Sequence, residues 1–306
     1  LTGVAGLSDG ETRDLRIVTT PLHGVGGAVV AEALRRAGFH DVHVVPEQAE
    51  PDPEFPTVSF PNPEEPGAID LALALAESVG ADLVIANDPD ADRCALAAFD
   101  PRVDSWRMLH GDELGALLGA EVARRVTSGG SPSSAVLASS IVSSRLLGRI
   151  AAAAGPQHAQ TLTGFKWMGN VADERVKRGQ NFLFAYEEAF GFTFSDARDK
   201  DGILSVLLLA ELAADCKAKG KRVIDVLDEI YIKNGIHCED AAERFYEGLS
   251  GKETMAAVLA DLRSNPPHAI AGIDVESVRD LHGSKTTDLR SGKVTPVIHL
   301  PTQDML

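Results

Sequence analysis

The chain has 306 residues with 45 acidic against 29 basic side chains, a formal net charge of −16. This charge argues against general nucleic-acid binding and against anionic membranes, and leaves room for a small anionic substrate met by local basic residues. Three widely spaced cysteines, Cys94, Cys216 and Cys238, make neither a disulfide framework nor a zinc site and point to a reducing cytoplasm. The 44% apolar content suits a soluble protein of two or three domains. No signal-peptide pattern is present, and the longest apolar run, Ile203 to Leu209 with Ala210, is too short to span a bilayer.

In chain order, Leu15 to Thr19 reads as a strand, Pro21 to Gly27 as a glycine-rich turn, Ala28 to Ala37 as a helix and Val42 to Val45 as a second strand. That βαβ order favours a parallel sheet with right-handed crossovers. A dinucleotide fingerprint is incomplete here: Gly24 and Gly26 fit, with Glu47 as a candidate ribose partner, but Val29 stands where the third glycine belongs. A tight strand-to-helix turn accounts for the glycines better, and such a turn can set His23 and backbone N–H groups near an anion. Pro46 to Pro66, rich in Pro and Glu, reads as an unpacked surface loop, and Gly67 to Ser78 as a helix.

Ala81 to Ala86 is a buried strand that feeds Asn87-Asp88-Pro89-Asp90-Ala91-Asp92-Arg93, and Cys94 to Phe99 is a further apolar run. Asp88, Asp90 and Asp92 therefore alternate in a turn at the carboxyl end of a strand, where open α/β sheets hold ligands. Three converging carboxylates repel one another unless a cation joins them, and hard oxygen donors suit magnesium, calcium or manganese. A solvated Asp-rich turn is the plain alternative. An EF-hand is excluded, because its glycine position holds Arg93 and its bidentate Glu position holds Phe99. An arginine beside a cation site is consistent with a shared anion such as phosphate.

Beyond about residue 105, His110 to Val126 reads as a helix with Asp112 as N-cap, Ala135 to Ala138 as a strand and Ser143 to Ala154 as a helix. The hydroxyl-rich stretch from Ser139 to Arg145 reads as a helix cap. Thr163-Gly164-Phe165-Lys166-Trp167-Met168-Gly169-Asn170 is a turn at Gly164 opening an aromatic-rich helix, with Phe165 and Trp167 as core candidates and Lys166 as an anion contact. Asn181 to Tyr186 is a strand ending in Glu187-Glu188-Ala189-Phe190-Gly191-Phe192, whose paired Glu would by themselves fit a solvated loop. Arg198-Asp199-Lys200-Asp201-Gly202 precedes a helix from Ile203 to Ala214 that is apolar nearly all round. Further helices are expected at Val223 to Ile232 and Lys252 to Leu262, and strands at Ile273 to Val275 and Pro296 to Leu300.

Four of these segments, in this order, resemble the α-D-phosphohexomutase superfamily of phosphoglucomutases and phosphomannomutases: the Asp loop, Thr163 to Asn170, Glu187 to Phe192, and Arg198 to Gly202. The wording of the second and third is closest to its phosphoglucomutase-2-like branch, which includes enzymes acting on pentose 1-phosphates. The resemblance implies an α/β fold of consecutive mixed-sheet domains: a metal-loop second domain over 1–104, a sugar-binding third domain over 105–220 and the start of a fourth over 221–306. It implies magnesium on Asp88, Asp90 and Asp92, and catalytic roles for Arg93 and Lys200, with His23 in the family's His-Gly turn. It also implies sugar-phosphate contacts from Thr163, Gly164, Lys166, Glu187, Ala189 and Arg198. Ala189 replaces a serine of many phosphoglucomutases, which removes one hydroxyl contact and leaves glucose, mannose and pentose phosphates all open.

The family's Thr-x-Ser-His-Asn-Pro phosphoserine loop is not found in the sequence, and Arg290-Ser291-Gly292 does not continue into the family's Arg-x-Ser-Gly-Thr loop and reads as a turn. The expectation is a phosphosugar mutase represented by a partial chain without turnover of its own. The alternatives are a non-catalytic magnesium- and sugar-phosphate-binding protein and, from the glycine turn, an NAD-dependent oxidoreductase.

Overall fold

The computed structural model describes residues 13–195, 197–239, 244–297 and 300–306. The chain divides into two compact units, Leu1–Glu239 and Asp240–Leu306.

The first unit begins with β1 (Arg16–Thr20), α1 (Gly27–Arg36), β2 (Asp41–Val44), α2 (Asp70–Val79), β3 (Leu83–Asn87), β4 (Cys94–Asp100) and β5 (Ser105–Met108). Its sheet runs in the order β2-β1-β3-β4-β5, with β1 parallel to β2 and β3, and β4 and β5 added antiparallel. The continuous apolar reading of β3 is explained by burial of all five of its residues. The sheet reaches past residue 104, because Trp106 and Arg107 of β5 pair with Phe99 and Ala98 of β4. The Pro-rich stretch after β2 is also less open than its composition implies. Gln48 is fully buried, accepts from the Thr20 hydroxyl at 2.6 Å and donates to Thr57 at 3.0 Å, which draws the loop onto the carboxyl end of β1.

A second sheet follows, from α3 (Gly111–Ser128), β6 (Ala135–Ser140), α4 (Leu146–Ala154), β7 (Gln157–Thr161), α5 (Phe165–Lys177), β8 (Asn181–Glu187) and β9 (Gly191–Phe194). Its order is β7-β6-β8-β9, with β6 parallel to both β7 and β8 and only β9 antiparallel. The edge strand β7, Gln-His-Ala-Gln-Thr, carries little apolar signal, and pairing to β6 alone makes it a strand. Next come α6 (Gly202–Ala218) and α7 (Val223–Asn234). Helix α6 packs on β3 and β4 of the first sheet and on β9 of the second, which is why it is apolar on nearly every face. One apolar core thus runs through both sheets, from Leu15 and Ile85 to Phe184 and Ile230. Helix α7 buries Val223, Ile224, Leu227 and Ile230 against this core and packs on α3, α4 and α6, so residues after 220 continue the first unit.

Asp112 does not cap α3. His110 is the N-cap, and its N–H is taken by the Glu113 carboxylate at 2.9 Å. Asp112, two residues on and still in the first turn, is buried and accepts from the Tyr186 hydroxyl at 2.5 Å and the Ser144 N–H at 2.9 Å.

His158 on β7 gives a pH test of this sheet. Its Nε2 lies 3.1 Å from the Ser139 hydroxyl, and burial holds its imidazole down at about 4. The unfolded chain binds this proton near the ordinary histidine value, so the contribution is complete above about pH 6.5 and is lost as the pH falls towards 4. Urea denaturation at pH 7.5 and 4.5 is expected to show about 2 kcal/mol less acid loss in His158→Gln than in the parent chain. Equal losses in both would remove His158 from the acid response.

The second unit holds α8 (Gly248–Ser264), the short pair β10 (Ala269–Ile270) and β11 (Ile273–Asp274), and an antiparallel sheet of β12 (Ser277–Asp280), β13 (Lys285–Asp288) and β14 (Val294–Pro296). Arg263 ties α8 to this sheet through Asp280 at 3.2 Å and to Asp304 at 2.6 Å. Arg290 to Gly292 is a turn, in which Asp288 accepts from the N–H groups of Arg290 and Ser291. The strand expected over Pro296 to Leu300 meets β14 only at Pro296, and Ile298 and His299 lie outside the described residues.

Candidate active site

The Asp loop leaves the carboxyl end of β3 and is closed by its own bonds. Asn87 Nδ2 donates to the Arg93 carbonyl at 2.7 Å, and Ala91, at φ 60°, returns its N–H to the Asp88 carbonyl at 2.9 Å. This curvature brings one carboxylate oxygen each of Asp88, Asp90 and Asp92 within 4.8 Å of one another. Asp88 is buried, Asp92 partly so and Asp90 exposed. Arg93 donates to Asp88 from Nε at 2.6 Å and from its backbone N–H at 3.0 Å. Lys200 Nζ stands 2.7 Å from Asp92. Burial and the neighbouring carboxylates raise the Asp92 carboxyl above its ordinary value against the pull of Lys200. Three clustered hard-oxygen donors, with Asp90 facing outward, fit a divalent cation.

Glycines make this loop possible. A Cβ on Gly24 would lie 2.3 Å from Pro89 Cα, one on Gly26 2.5 Å from Ala91 Cβ, and one on Gly202 2.5 Å from the Ala91 carbonyl oxygen. Val25 N–H donates to the Pro89 carbonyl at 2.8 Å. The glycine turn after β1 is therefore the seat of the Asp loop, which is what brings its backbone so close to other atoms. His23 is not brought to the cleft: it is buried, and its Nε2 lies 2.8 Å from the Thr57 hydroxyl. Its place is in the packing beneath the turn.

From the second sheet, β8 delivers Glu187 to the opposite wall. The half-buried carboxylate accepts from the Gly164 N–H at the start of α5. Burial pushes this carboxyl up, and the Gly164 bond opposes that shift. The walls are joined by backbone: Cys94 N–H donates to the Phe190 carbonyl at 3.2 Å, and Arg93 bridges Gly191. Between them lies a cleft of about 470 Å³ lined by Asp88, Asp90, Asp92, Arg93, Glu187, Ala189, Lys200, Phe60 and neighbouring prolines. Gly191 leaves the passage for the Lys200 stem, since a Cβ there would lie 2.8 Å from it.

Four expected contacts lie outside this lining, among them Gly164, whose N–H is given to Glu187. Thr163 and Lys166 are exposed, with Lys166 Nζ 5.7 Å from the Trp167 ring centroid. Arg198 is turned to Asp173 on α5 at 2.9 Å and to the Ser195 carbonyl. Two features were not read from the sequence. Asn62 of the Pro-rich loop accepts from Arg93 Nη1 at 3.2 Å. Glu188 accepts from the hydroxyls of Ser140 at 3.1 Å and Ser143 at 2.8 Å, so these serines hold the β8–β9 turn instead of capping α4. The adjacent Glu pair and the serine run carried the signal, but not their pairing.

Known proteins match this architecture. The profile of phosphoglucomutase/phosphomannomutase α/β/α domain II covers residues 5–100, and that of domain III covers residues 110–233. The chain belongs to the phosphoglucomutase/phosphomannomutase family. Human phosphopentomutase is 39% identical over 282 residues, which cover 89% of this chain and 45% of the relative. A Staphylococcus aureus phosphoglucomutase is 35% identical over 277 residues, 90% of this chain and 49% of the relative. A Haemophilus influenzae protein named "Probable phosphomannomutase" is 38% identical over 282 residues, 92% of this chain and 55% of the relative. The chain thus spans about half the length of these relatives. A family protein from Burkholderia thailandensis shares the fold at a TM-score of 0.62 and 18% identity, over 90% of this chain and 55% of its own. Among the described residues, no helix is long and apolar enough to cross a membrane.

Proposed function

We propose that this family member contributes the metal- and sugar-binding part of a phosphosugar mutase, which interconverts a hexose or pentose 1-phosphate with its 6- or 5-phosphate through a bisphosphate. The observation that carries this reading is the meeting of Asp88, Asp90 and Asp92 with Arg93, Lys200 and Glu187 in one cleft. In such a reaction a phosphoserine donates its phosphoryl group to a sugar hydroxyl, the bisphosphate reorients, and the other phosphoryl group returns to the serine.

Asp88, Asp90 and Asp92 would hold magnesium, which would supply neutralisation of charge on the transferring group. Arg93, fixed by Asp88 and Asn62, presents its guanidinium to phosphate oxygens. Lys200, whose Nζ lies 2.7 Å from Asp92, would contact phosphate oxygens of the same group. Glu187 accepts from ring hydroxyls and so orients the sugar in either direction. Ala189 offers no hydroxyl, and relatives named phosphopentomutase are consistent with a pentose phosphate as substrate. Cys94 and Cys216 are buried free thiols, which suits a cytoplasmic setting.

The 306 residues contain no Thr-x-Ser-His-Asn-Pro loop. That observation favours a second reading for these residues taken alone, binding of magnesium and sugar phosphate without turnover.

Calorimetric titration with magnesium separates these readings from a plain acidic turn. The parent chain is expected to bind, and Asp90→Ala to bind about 100-fold more weakly. Absence of binding in the parent chain rejects both readings. A mutase assay with glucose 1-phosphate, magnesium and a trace of glucose 1,6-bisphosphate then decides between them.

A further inference from the structure

In the first unit, Phe60 is the one exposed aromatic side chain among the described residues, at 60% exposure, and it lies on the cleft. Every other Phe, Tyr or Trp described in that unit is at least partly buried. Phe60 is also held in place. The Asn62 N–H donates to the Phe60 carbonyl at 2.9 Å, and Asn62 is itself bonded to Arg93 Nη1 and Glu64. The ring thus stands two residues from a side chain that grips the anion-facing arginine, with Pro61 beside it and Ala189 also on the lining. An exposed ring next to a charged cleft leaves apolar surface in water until a ligand covers it.

We propose that Phe60 is a specificity-determining residue that stacks on the C–H face of the sugar ring while Arg93 and Lys200 take its phosphate. This rests on the reading of the cleft as a sugar-phosphate site and deepens it. A ligand there needs a ring with one apolar face and an anionic substituent. A pyranose or furanose phosphate has both, and inorganic phosphate has only the second. Binding pockets of this kind combine apolar walls with a few polar groups that fix orientation.

The test measures dissociation constants of glucose 1-phosphate and of inorganic phosphate, both with magnesium, for the parent chain, Phe60→Ala and Phe60→Tyr. Phe60→Ala is expected to weaken glucose 1-phosphate about tenfold and leave inorganic phosphate unchanged, with Phe60→Tyr close to the parent chain. Saturation transfer from aromatic protons to sugar C–H protons is expected in the parent chain and absent in Phe60→Ala. An unchanged glucose 1-phosphate affinity in Phe60→Ala overturns the proposal, as does an equal loss for both ligands, which makes Phe60 a prop for Arg93. If the parent chain binds inorganic phosphate but not glucose 1-phosphate, stacking is refuted while the anion site stands. If it binds neither, the cleft reading fails with it.

Discussion

Gly202→Ala is expected to destabilise the first unit by about 2 kcal/mol and to weaken magnesium binding with it. The added Cβ would sit 2.5 Å from the Ala91 carbonyl oxygen, 2.6 Å from the Arg93 carbonyl oxygen and 3.0 Å from the Arg93 carbonyl carbon. All three are backbone atoms, so no flexible side chain can swing away. The helix cannot easily retreat either, because α6 is packed on strands of both sheets. What yields is the Asp loop, and with it the spacing of the three carboxylates. Gly220→Ala is the control: its φ of +67° carries a backbone cost, but nothing lies within 4 Å of its Cβ and it is remote from the loop. Urea denaturation and magnesium titration of both variants decide the matter. Unchanged metal affinity in Gly202→Ala would show that the loop can shift without losing its cation geometry.

Asp112→Ala is expected to cost about 3 kcal/mol, and Asp112→Asn clearly less. Asp112 Oδ1 accepts from the fully buried Tyr186 hydroxyl and from the Ser144 N–H. Alanine strands both donors away from water, whereas asparagine keeps an acceptor oxygen in place. The charge has a second effect. Burial, then Asp112, then Glu188 push the Glu239 carboxyl up to about 8. A carboxyl raised in the folded state favours folding below its unfolded value and loses that contribution as the pH climbs through about 8. Asp112→Asn is therefore expected to lose less stability than the parent chain between pH 5 and 8.5. Equal costs for the alanine and asparagine variants would mean that the stranded donors find other partners.

The serine run and the Glu pair show where local sequence stops being informative. Ser140 and Ser143 precede a helix, and short-range chemistry favours a cap. Only the parallel pairing of β6 with β8 sets them against Glu188, 48 and 45 residues away. Likewise His23 lies within a glycine turn suited to an anion, yet it is buried and bonded to Thr57, which Gln48 also holds. Asp112 sits where an N-cap belongs, but Glu113 fills the capping role from within the helix and frees Asp112 for Tyr186.

Periodicity, strand composition and the Asp-x-Asp-x-Asp spacing determined by themselves the α/β class, most of the elements and the metal-ligand candidates. These signals are local: a buried strand is apolar along its length, and alternate residues of a tight turn can be aimed at one point. The tertiary structure alone decided which residues share a cleft. Lys200 reaches Asp92 and Phe190 meets Cys94 because α6 and the β8–β9 turn pack against the Asp loop, with glycines at 24, 26, 191 and 202 giving the backbone room to approach. Contacts between residues about 100 positions apart depend on how two sheets share one core, and no stretch of sequence encodes that separately.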